Sequence, residues 1–499
     1  MRFLFPAYIS LILFVALLAL GLGRAPVFGD ADTAWHLAAG DHILAEHVIP
    51  LYDSWSFTAA GETWYNLSWL FDIGISKLVE VTGFSGLYLL TLFIFAGSIA
   101  GMAHYSLKRG ANPLAVFLLC IPVLLIIYGG TIARPNMCSV AMAIMFYWLL
   151  HRYRETSRLK DMFLLPVLMT LWVNLHGGFL LAFILIGIFL AEAILHNNRN
   201  RMRDYGFIIA ACMATTLINP YGFAVYYGAY KTISGTFDKS FITEWAPVRV
   251  GYDIAMTAML ALVICIGNAT DKRIALVDRM LAVFVLFLAL SSARHSAIAA
   301  LLMMPYLSLR LSYVLDESRI AQRFRTIDNA IRTDLQKNDV KIMGMGMVLL
   351  ATSLLALPYP RYALLSEPVG FSKKLFPIAE AAYVAEHYPH LHFFNDYNLG
   401  GYLDYLWHGK VKVFVDGRAS SLYSSALLQD YTDFTESKGF GGRAEVIAAY
   451  YHIDGLILPH TDNIRLPWNP YWKLAYHGEV ADVFLRNDLA EKLSDTSKP

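Results

Sequence analysis

The chain has 499 residues, of which 57% are hydrophobic, 14% aromatic and only 16% charged. A water-soluble domain carries roughly 25% charged residues, so this composition excludes an ordinary soluble protein and predicts a polytopic α-helical membrane protein. The formal net charge of +1 provides no field of one sign that would attract nucleic acid, and we expect no nucleic-acid partner.

Eleven apolar runs predict the membrane-spanning helices, and the first of them is expected to be retained rather than cleaved. Two runs, 161–174 and 205–218, are shorter than the roughly 20 residues that a full crossing needs. We expect these two to cross only partly, to tilt, or to lie in locally thin bilayer. The eleven runs are 4–22, 84–107, 112–128, 136–150, 161–174, 178–196, 205–218, 252–268, 275–291, 295–314 and 341–358.

The distribution of basic residues predicts which side of the membrane each connection between these runs faces. Five connections rich in Lys and Arg alternate with connections that have few, and the positive-inside rule places the basic ones in the cytoplasm. The N-terminus is then cytoplasmic, residues 1–359 form the membrane bundle, and residues 360–499 form an extracytoplasmic domain. The basic connections contain 108–109, 152–160, 199–203, 272–279 and 315–340.

The first outer connection, residues 23–83, carries the densest polar cluster, with Asp30, Asp32 and His36 just past the first apolar run. Ionisable groups at a membrane edge are costly and are functional candidates by default. Asp32 and His36 are spaced i, i+4, so they share a helical face, and Asp30, Asp32 and His36 are candidate metal ligands. Tryptophan-rich amphipathic stretches predict two interfacial helices in this connection, over 33–47 and 64–80.

The other outer connections also present ionisable or amide side chains, whereas the cytoplasmic connections carry only basic residues that water can solvate. We therefore expect substrates to bind at the outer face. Arg134 and Arg294 stand at span ends, where a guanidinium fork suits phosphate oxygens. The candidate substrate-binding residues are His36, Asn66, Arg134, Asn174, His176, Glu244, Arg294 and His295.

The C-terminal region alternates short apolar strands with helical stretches, which predicts a small α/β domain. Strands are expected at 392–395, 411–415 and 455–458, and helices at 421–435 and 443–451. Asn398-Leu399-Gly400-Gly401-Tyr402 and Asp416-Gly417-Arg418 follow two of these strands. Turn chemistry is the favoured interpretation of both segments, and acceptor recognition is the functional alternative.

This layout resembles the GT-C superfamily of polyprenyl-phosphate-sugar-dependent glycosyltransferases, in a poorly characterised bacterial branch. The residues that carry the resemblance are Gly29-Asp30-Ala31-Asp32 after the first span, then Trp35-His36-Leu37, 53–58 and 61–64. By topology it covers roughly residues 1–310. It implies a multi-pass protein of a bacterial inner membrane, with the C-terminal domain in the periplasm.

The resemblance also implies a reaction. A sugar is transferred with inversion from a polyprenyl-phosphate donor to a lipid, glycan or protein acceptor, and an aspartate deprotonates the acceptor. The positions that match the catalytic motif are Asp30 and Asp32, and the resemblance leaves open which of them is the base. Some relatives hold a divalent metal at the acidic motif, so Mg²⁺ or Mn²⁺ is a possible cofactor.

Each of these candidate functional residues also has a simpler structural interpretation. Asp32 could be only the N-cap of the following helix, although capping explains one aspartate and not the whole cluster. Each arginine could snorkel to headgroups, His176 could be a turn histidine, and each amide a cap. At the level of the protein, the alternatives are a transporter or flippase of a lipid-linked or small polar substrate, or a non-catalytic scaffold with an outer binding domain.

Overall fold

A computed structural model describes residues 5–22, 26–235, 242–248, 253–266, 274–316, 344–353, 370–437, 441–460 and 471–490, with single positions at 329, 333, 337 and 341. The α-helices within these residues are Phe5–Leu22, Asp32–Glu46, Trp69–Lys108, Pro113–Gly129, Asn136–Thr156, Leu164–Leu175, Leu180–Leu195, Arg199–Thr215, Ala224–Ser234, Ile254–Ile266, Leu276–Ser291, Ser296–Asp316, Gly344–Ser353, Ile378–His387, Tyr397–Trp407, Ser425–Glu436 and Gly442–Tyr450. Short 3₁₀ turns occupy Leu159–Met162, Gly177–Phe179, Thr243–Trp245, Ala293–His295 and Ala419–Ser421.

Every predicted apolar run contains a helix within the described residues, so the predominantly helical fold is confirmed. The number of spans stays a prediction, because several helices are short. Leu164–Leu175 has 12 residues, which is about 18 Å at 1.5 Å per residue, against a hydrocarbon core of about 30 Å. In the described part of the chain, three helices are long and apolar enough to cross a membrane: Trp69–Lys108, Gly177–Leu195 and Ala293–Asp316.

The Trp69–Lys108 helix changes character at a kink. Gly83 has a φ of 66° inside it, a left-handed value that glycine adopts without strain. The segment before Gly83 carries charged residues, and the segment after it is the apolar run predicted to begin at residue 84. The kink therefore separates a helix of the first outer connection from a membrane-spanning helix.

The chain folds into two compact units. The helical unit comprises Met1–Val27, Phe84–Asn219 and Thr243–Val369, and the mixed unit comprises Phe28–Gly83, Pro220–Ile242 and Gly370–Pro499. The sequence analysis attached residues 23–83 to the membrane bundle, whereas packing groups residues 28–83 with the C-terminal region. The predicted boundary at residue 360 lies outside the described residues.

Inside the helical unit, two arginines of the basic connections are buried against acids. Arg109 donates from both terminal nitrogens to the carboxylate of Asp278, at 2.7 and 2.8 Å, and its side chain is only 12% exposed. Arg154 makes a similar two-bond contact with Glu192 at 2.8 and 3.0 Å. The expectation that these connections hold only water-solvated basic residues was therefore wrong for Arg109 and Arg154, because carboxylates on neighbouring helices pair with them.

The mixed unit contains a four-stranded sheet. Its strands are β1 (Phe393–Asn395), β2 (Gly455–Pro459), β3 (Trp472–His477) and β4 (Ala481–Arg486), in the order β1-β2-β4-β3. β1 runs parallel to β2, and the other two pairings are antiparallel. The small C-terminal α/β domain and its strands near 392–395 and 455–458 are thus confirmed.

The predicted strand 411–415 does not join that sheet in the described structure. Val413 instead pairs with the first outer connection: its N–H donates to the Trp55 carbonyl at 3.0 Å, and its carbonyl accepts from Phe57 N–H at 3.1 Å. Thr58 Oγ1 adds a hydrogen bond to the Phe414 carbonyl. The apolar run was recognised correctly, but its hydrogen-bonding partner lies about 350 residues earlier in the chain.

One hydrophobic core joins the first outer connection to the C-terminal region. Trp35, Trp55 and Trp64 pack in the same cluster as Phe394 and Phe414. All three indoles are nearly buried, at 8%, 7% and 3% exposure. The interfacial placement expected for Trp35 and Trp64 was therefore wrong, because these rings are buried inside the protein. At roughly 25 cal/mol per Å² of apolar area, such large side chains dominate the stability of the unit.

Candidate functional site

The two aspartates of the acidic motif, Asp30 and Asp32, make different contacts. Asp30 Oδ1 accepts a hydrogen bond from the backbone N–H of Asp32 at 2.6 Å, which closes the turn before the helix. The helix begins at Asp32 itself, and its N-cap residue, Ala31, provides no side-chain cap. The capping interpretation of Asp32 is thus wrong, because the carboxylate bonded to the backbone at the helix start belongs to Asp30.

The Asp32 carboxylate lies against a tryptophan and a glycine instead. It accepts a hydrogen bond from Trp35 Nε1 at 3.3 Å, and the Asp32 side chain is partly exposed. A Cβ atom placed on Gly417 would collide with Asp32 Oδ1. Glycine at position 417 is therefore required for the 416–418 segment to approach this carboxylate, which is held in place and still reached by solvent.

His36 is oriented by a buried carboxylate. Its Nδ1 lies 2.7 Å from Asp72 Oδ1, and its ring stacks on Trp35 with a centroid distance of 3.5 Å. Asp72 also accepts from Asn66 Nδ2 at 2.7 Å, and Asn66 Oδ1 accepts from Ser68 N–H at 3.0 Å. His36 and Asn66 are both buried, and His36 Nδ1 and the Asn66 side-chain amide bond to protein groups. Their role in substrate binding stays a prediction.

The same contacts bear on the predicted metal site. A metal ion held by Asp30, Asp32 and His36 would need one ligand atom of each residue close together. Asp30 Oδ1 instead accepts a hydrogen bond from the backbone N–H of Asp32, and His36 Nδ1 is hydrogen-bonded to Asp72. In the described residues, these three do not form a group of closely spaced ligand atoms. Asp30, Asp32 and His36 therefore do not fit a common metal ion.

A buried network of charged side chains flanks Gly417, the residue that contacts Asp32. Arg418 Nε donates to Asp416 Oδ1 at 2.9 Å and its Nη2 to Asp416 Oδ2 at 2.6 Å, while its Nη1 donates to Asp53 Oδ1 at 2.6 Å. Tyr423 O–H donates to Asp416 at 2.7 Å. Gly417 lies between Asp416 and Arg418, so the network fixes the backbone that meets Asp32.

Burial and neighbouring charges shift the pKa values of two aspartates in this network in opposite directions. Burial would raise the pKa of Asp416, but the Arg418 guanidinium outweighs it and holds that pKa below its ordinary value. Asp404 is buried nearby, and one of its oxygens, Oδ2, has no hydrogen-bond partner among the described residues. Burial raises the pKa of Asp404 well above its ordinary value, and the negative charges of Asp416 and Asp53 raise it further. Of the aspartates in this network, Asp404 is thus the one whose neutral form burial and its acidic neighbours favour.

Two glycines allow this packing. A Cβ atom on Gly400 would collide with the Val415 carbonyl, and one on Gly401 would lie 2.6 Å from the Ala31 carbonyl and 2.9 Å from Trp35 Cδ1. The Tyr397–Trp407 helix can therefore lie directly on the start of the acidic-motif helix. The Gly400-Gly401 pair is helical and not part of a turn, which corrects the favoured interpretation of that segment.

The roles of Asp53, Asp404 and Arg418 were not predicted. Asp53 stood in the 53–58 stretch that carries the resemblance but had no role assigned to it, and Asp416-Gly417-Arg418 was assigned to turn chemistry. A buried Arg needs acidic partners, and Asp416 beside Arg418 in an apolar stretch was the available signal. The pairing of Arg418 with Asp53 spans 365 residues, so no local pattern could have predicted it.

In the helical unit, four of the predicted residues come together in two 3₁₀ turns and the loop before the Asn136–Thr156 helix. Arg134 Nη1 donates to both carboxylate oxygens of Glu244 at 3.0 Å. The Arg294 guanidinium lies 5.0 Å from the ring centre of Trp245. His295 follows Arg294 and is partly exposed. Arg134, Glu244, Arg294 and His295 thus form one polar group.

His176 is held in a defined orientation. Its Nδ1 lies 2.6 Å from Ser139 Oγ and accepts from Gly178 N–H at 3.2 Å, while Ser139 Oγ accepts from Trp172 Nε1 at 2.7 Å. Because Nδ1 accepts the Gly178 N–H, it carries no proton, and the Ser139 O–H donates to it. Neutral His176 therefore carries its proton on Nε2, as a donor. Asn174 donates both amide N–H groups to the carbonyls of Thr170 and Ile218, at 2.7 and 2.8 Å. Its side chain therefore links two backbone segments.

Comparison with solved structures identifies the fold. Archaeal oligosaccharyltransferase AglB from Archaeoglobus fulgidus, in complex with an inhibitory peptide and a dolichol-phosphate, matches with a TM-score of 0.61 and 11% identity. The match covers 92% of this chain and 69% of AglB. ArnT from Cupriavidus metallidurans bound to undecaprenyl phosphate matches with a TM-score of 0.51 and 10% identity, over 96% of this chain and 97% of ArnT.

Another structure of the Archaeoglobus enzyme, in complex with Zn and sulfate, matches with a TM-score of 0.51 and 10% identity, over 90% of this chain and 68% of that chain. This chain therefore shares a fold with AglB and with ArnT, which agrees with the fold expected from the resemblance. No protein-family model matches the sequence, and no curated protein matches it. At these identities the likeness shows the fold, and activity has to be argued from the site.

Proposed function

We propose that this chain is a membrane glycosyltransferase, which transfers a sugar with inversion from a polyprenyl-phosphate donor to an acceptor on the outer face of a bacterial inner membrane. The observation that carries the proposal is the division of roles at the acidic motif. Asp30 closes a backbone turn, while the partly exposed Asp32 carboxylate is held at the helix start by Trp35 and Gly417. The fold shared with AglB and ArnT, whose structures contain polyprenyl-type phosphates, supports the donor class.

Asp32 is the proposed general base. It accepts the proton of the acceptor hydroxyl or amine, and the freed lone pair forms a bond to the anomeric carbon of the sugar. The bond between the anomeric carbon and the phosphate oxygen breaks, and its electron pair leaves with the polyprenyl phosphate. The acceptor is a lipid, glycan or protein. The 416–418 segment keeps the carboxylate from rotating away, which preserves the geometry that proton transfer needs.

The helical unit supplies groups suited to the donor phosphate. Arg134 and Arg294 carry guanidinium groups, and His176 presents an Nε2 proton in its neutral form. Glu244 pairs with Arg134 and fixes the direction of its fork. Guanidinium groups and an imidazole N–H are donors that suit the binding of a phosphate group. The complete topology of eleven spans, with a cytoplasmic N-terminus and a periplasmic C-terminal domain, belongs to the same proposal.

Turnover with defined donors tests the function. Purified protein in nanodiscs is incubated with a panel of radiolabelled polyprenyl-phosphate sugars and a membrane extract. We expect one donor to be consumed by the wild type and by Glu62→Gln, a matched exposed control in the same connection. Asp32→Asn should lose about 10²–10⁴-fold in rate. Movement of an intact lipid-linked sugar across proteoliposomes, without cleavage of any donor, would instead establish a transporter.

Donor binding is tested separately. Arg294→Gln keeps a hydrogen-bonding side chain of similar length but removes the charge that a phosphate would meet. We expect binding of a polyprenyl phosphate to weaken by about tenfold or more, since hydrogen bonds to charged groups are worth about 1.5–3 kcal/mol. Arg443→Gln, an exposed arginine in the mixed unit, is the matched control and should bind as the wild type does. Equal affinity in all three proteins would remove Arg294 from the donor site.

A further inference from the structure

Two histidines and an aspartate meet on the sheet of the mixed unit, outside the residues used in the proposed reaction. His460 directly follows β2, His477 is the last residue of β3, and Asp482 lies in β4. The β3–β4 register places His477 opposite Asp482. The backbone N–H of His460 donates to the Val480 carbonyl at 3.1 Å, which ties the end of β2 to the hairpin between β3 and β4. Strand pairing therefore brings three ligand-bearing side chains to one end of the sheet.

Their nitrogen and oxygen atoms are close enough to share one ion. Asp482 Oδ1 lies 2.6 Å from His477 Nδ1 and 3.2 Å from His460 Nε2, and all three candidate ligand atoms lie within 4.8 Å of one another. Ligand atoms on a tetrahedral Zn²⁺ ion, at about 2.0–2.1 Å from the metal, are roughly 3.3 Å apart. The observed spacing needs only small rotations of side chains that are 36%, 70% and 25% exposed.

The same carboxylate oxygen faces both imidazoles, and the two rings are stacked with an interplanar angle of 19° and centroids 5.2 Å apart. Exposed ion pairs of this kind are weak, whereas a shared ion accounts for the convergence of two rings on one oxygen. A set of two imidazoles and one carboxylate favours Zn²⁺ over Mg²⁺, which requires oxygen ligands.

We propose that His460, His477 and Asp482 bind one Zn²⁺ ion, with solvent at the fourth position. The ion joins β2, β4 and the edge strand β3, and it stabilises this end of the sheet because it binds the folded unit only. The site is separate from the acidic motif: it uses none of the residues assigned to the transfer reaction, and it stands or falls independently of that reaction.

Zinc binding by the full-length protein tests the proposal. The protein is purified in detergent without a polyhistidine tag, stripped with EDTA, and titrated with Zn²⁺ against a chromophoric chelator, with bound zinc counted by mass spectrometry. We expect one tight equivalent in the wild type and in His390→Gln, a control at an exposed histidine of the same unit. His460→Gln/His477→Gln should bind at least about tenfold more weakly, since even the loss of an outer-shell partner costs 10–100-fold.

Thermal unfolding separates metal binding from a folding defect. Without zinc, the double variant should unfold at the wild-type temperature, because glutamine retains a donor for Asp482. With zinc, only the wild type and His390→Gln should unfold at a higher temperature. A double variant that keeps the tight equivalent would overturn the proposal. So would a zinc equivalent that is lost from Asp32→Asn and kept by the double variant, since the ion would then lie at the acidic motif.

Discussion

Replacing Arg418 by methionine is expected to destabilise the mixed unit strongly. The arginine side chain is 1% exposed, and the carboxylates of Asp53 and Asp416 that it pairs with are both 0% exposed. Methionine fills a similar volume but carries no charge. The substitution therefore leaves two buried carboxylates without their cation, while most of the packing is retained.

Removing one partner of a buried ion pair costs about 3–5 kcal/mol, because the remaining charge is stranded in a low-dielectric interior. The guanidinium also lies 5.1 Å from the ring centre of Trp55 and 4.9 Å from that of Trp64, and those cation–π contacts are lost as well. We expect a loss of about 4 kcal/mol in the free energy of unfolding. For a unit of roughly 200 residues, this lowers the melting temperature by about 10 °C.

Tryptophan fluorescence during thermal unfolding is a suitable assay, because Trp55 and Trp64 face the substituted side chain. Arg443→Met is the matched control: Arg443 pairs with Asp430 and Asp433, but its side chain is 61% exposed. An exposed pair of this kind contributes about 0–1 kcal/mol. The control should therefore melt within about 4 °C of the wild type.

A neutral replacement of the whole network provides a second comparison. Asp53→Asn/Asp416→Asn/Arg418→Met removes the stranded charges and should recover part of the lost stability, since neutral groups are tolerated better in a buried site. An Arg418→Met protein that melts with the Arg443→Met control would show that the network does not hold the unit together. The explanation of how Gly417 is fixed against Asp32 would then be incorrect.

Three further substitutions follow from the same structure. Asp404→Asn should flatten the pH dependence of stability: the pKa of folded Asp404 is raised, so the folded state binds the extra proton and wild-type stability falls as pH rises above the unfolded value of about 3.9. Thermal melts from pH 4 to 9 measure this, and parallel curves for the two proteins would contradict it. Gly401→Leu should cost about 1–3 kcal/mol by overpacking against the acidic-motif helix, and an unchanged melting temperature would refute that contact. Ser139→Ala leaves the buried Trp172 indole N–H without its acceptor and should cost about 1–3 kcal/mol, whereas Ser139→Cys should cost less; equal loss in both would contradict the hydrogen-bond argument.

The helices and strands that depend on neighbouring residues in the chain could be predicted from the sequence. Apolar runs predicted the helices, and the acidic motif after the first run carried the resemblance that predicted the fold shared with AglB and ArnT. The helix predicted over 33–47 is present as Asp32–Glu46, although the carboxylate bonded to the backbone at its start is that of Asp30. Strands near 393–395 and 455–459 were found because short apolar segments between turn residues have few alternatives.

The features that could not be predicted depend on tertiary contacts between residues far apart in the chain. Trp35 and Trp64 were placed at the membrane interface because an amphipathic tryptophan helix usually lies there, but a core built partly from residues after 390 covers them. The 411–415 segment pairs with Ser56 rather than with the sheet. Neither outcome can be read from a window of neighbouring residues, since each partner lies hundreds of positions away.

The central claim is that Asp32, and not Asp30, removes the acceptor proton, and single-turnover transfer by Asp30→Asn and Asp32→Asn tests it most directly. Asparagine at position 30 still accepts the Asp32 backbone N–H through its amide oxygen, whereas asparagine at position 32 cannot take up a proton. The account predicts that Asp30→Asn retains transfer within about tenfold of the wild type, while Asp32→Asn loses about 10²–10⁴-fold with donor binding intact. A larger loss in Asp30→Asn than in Asp32→Asn would contradict the account.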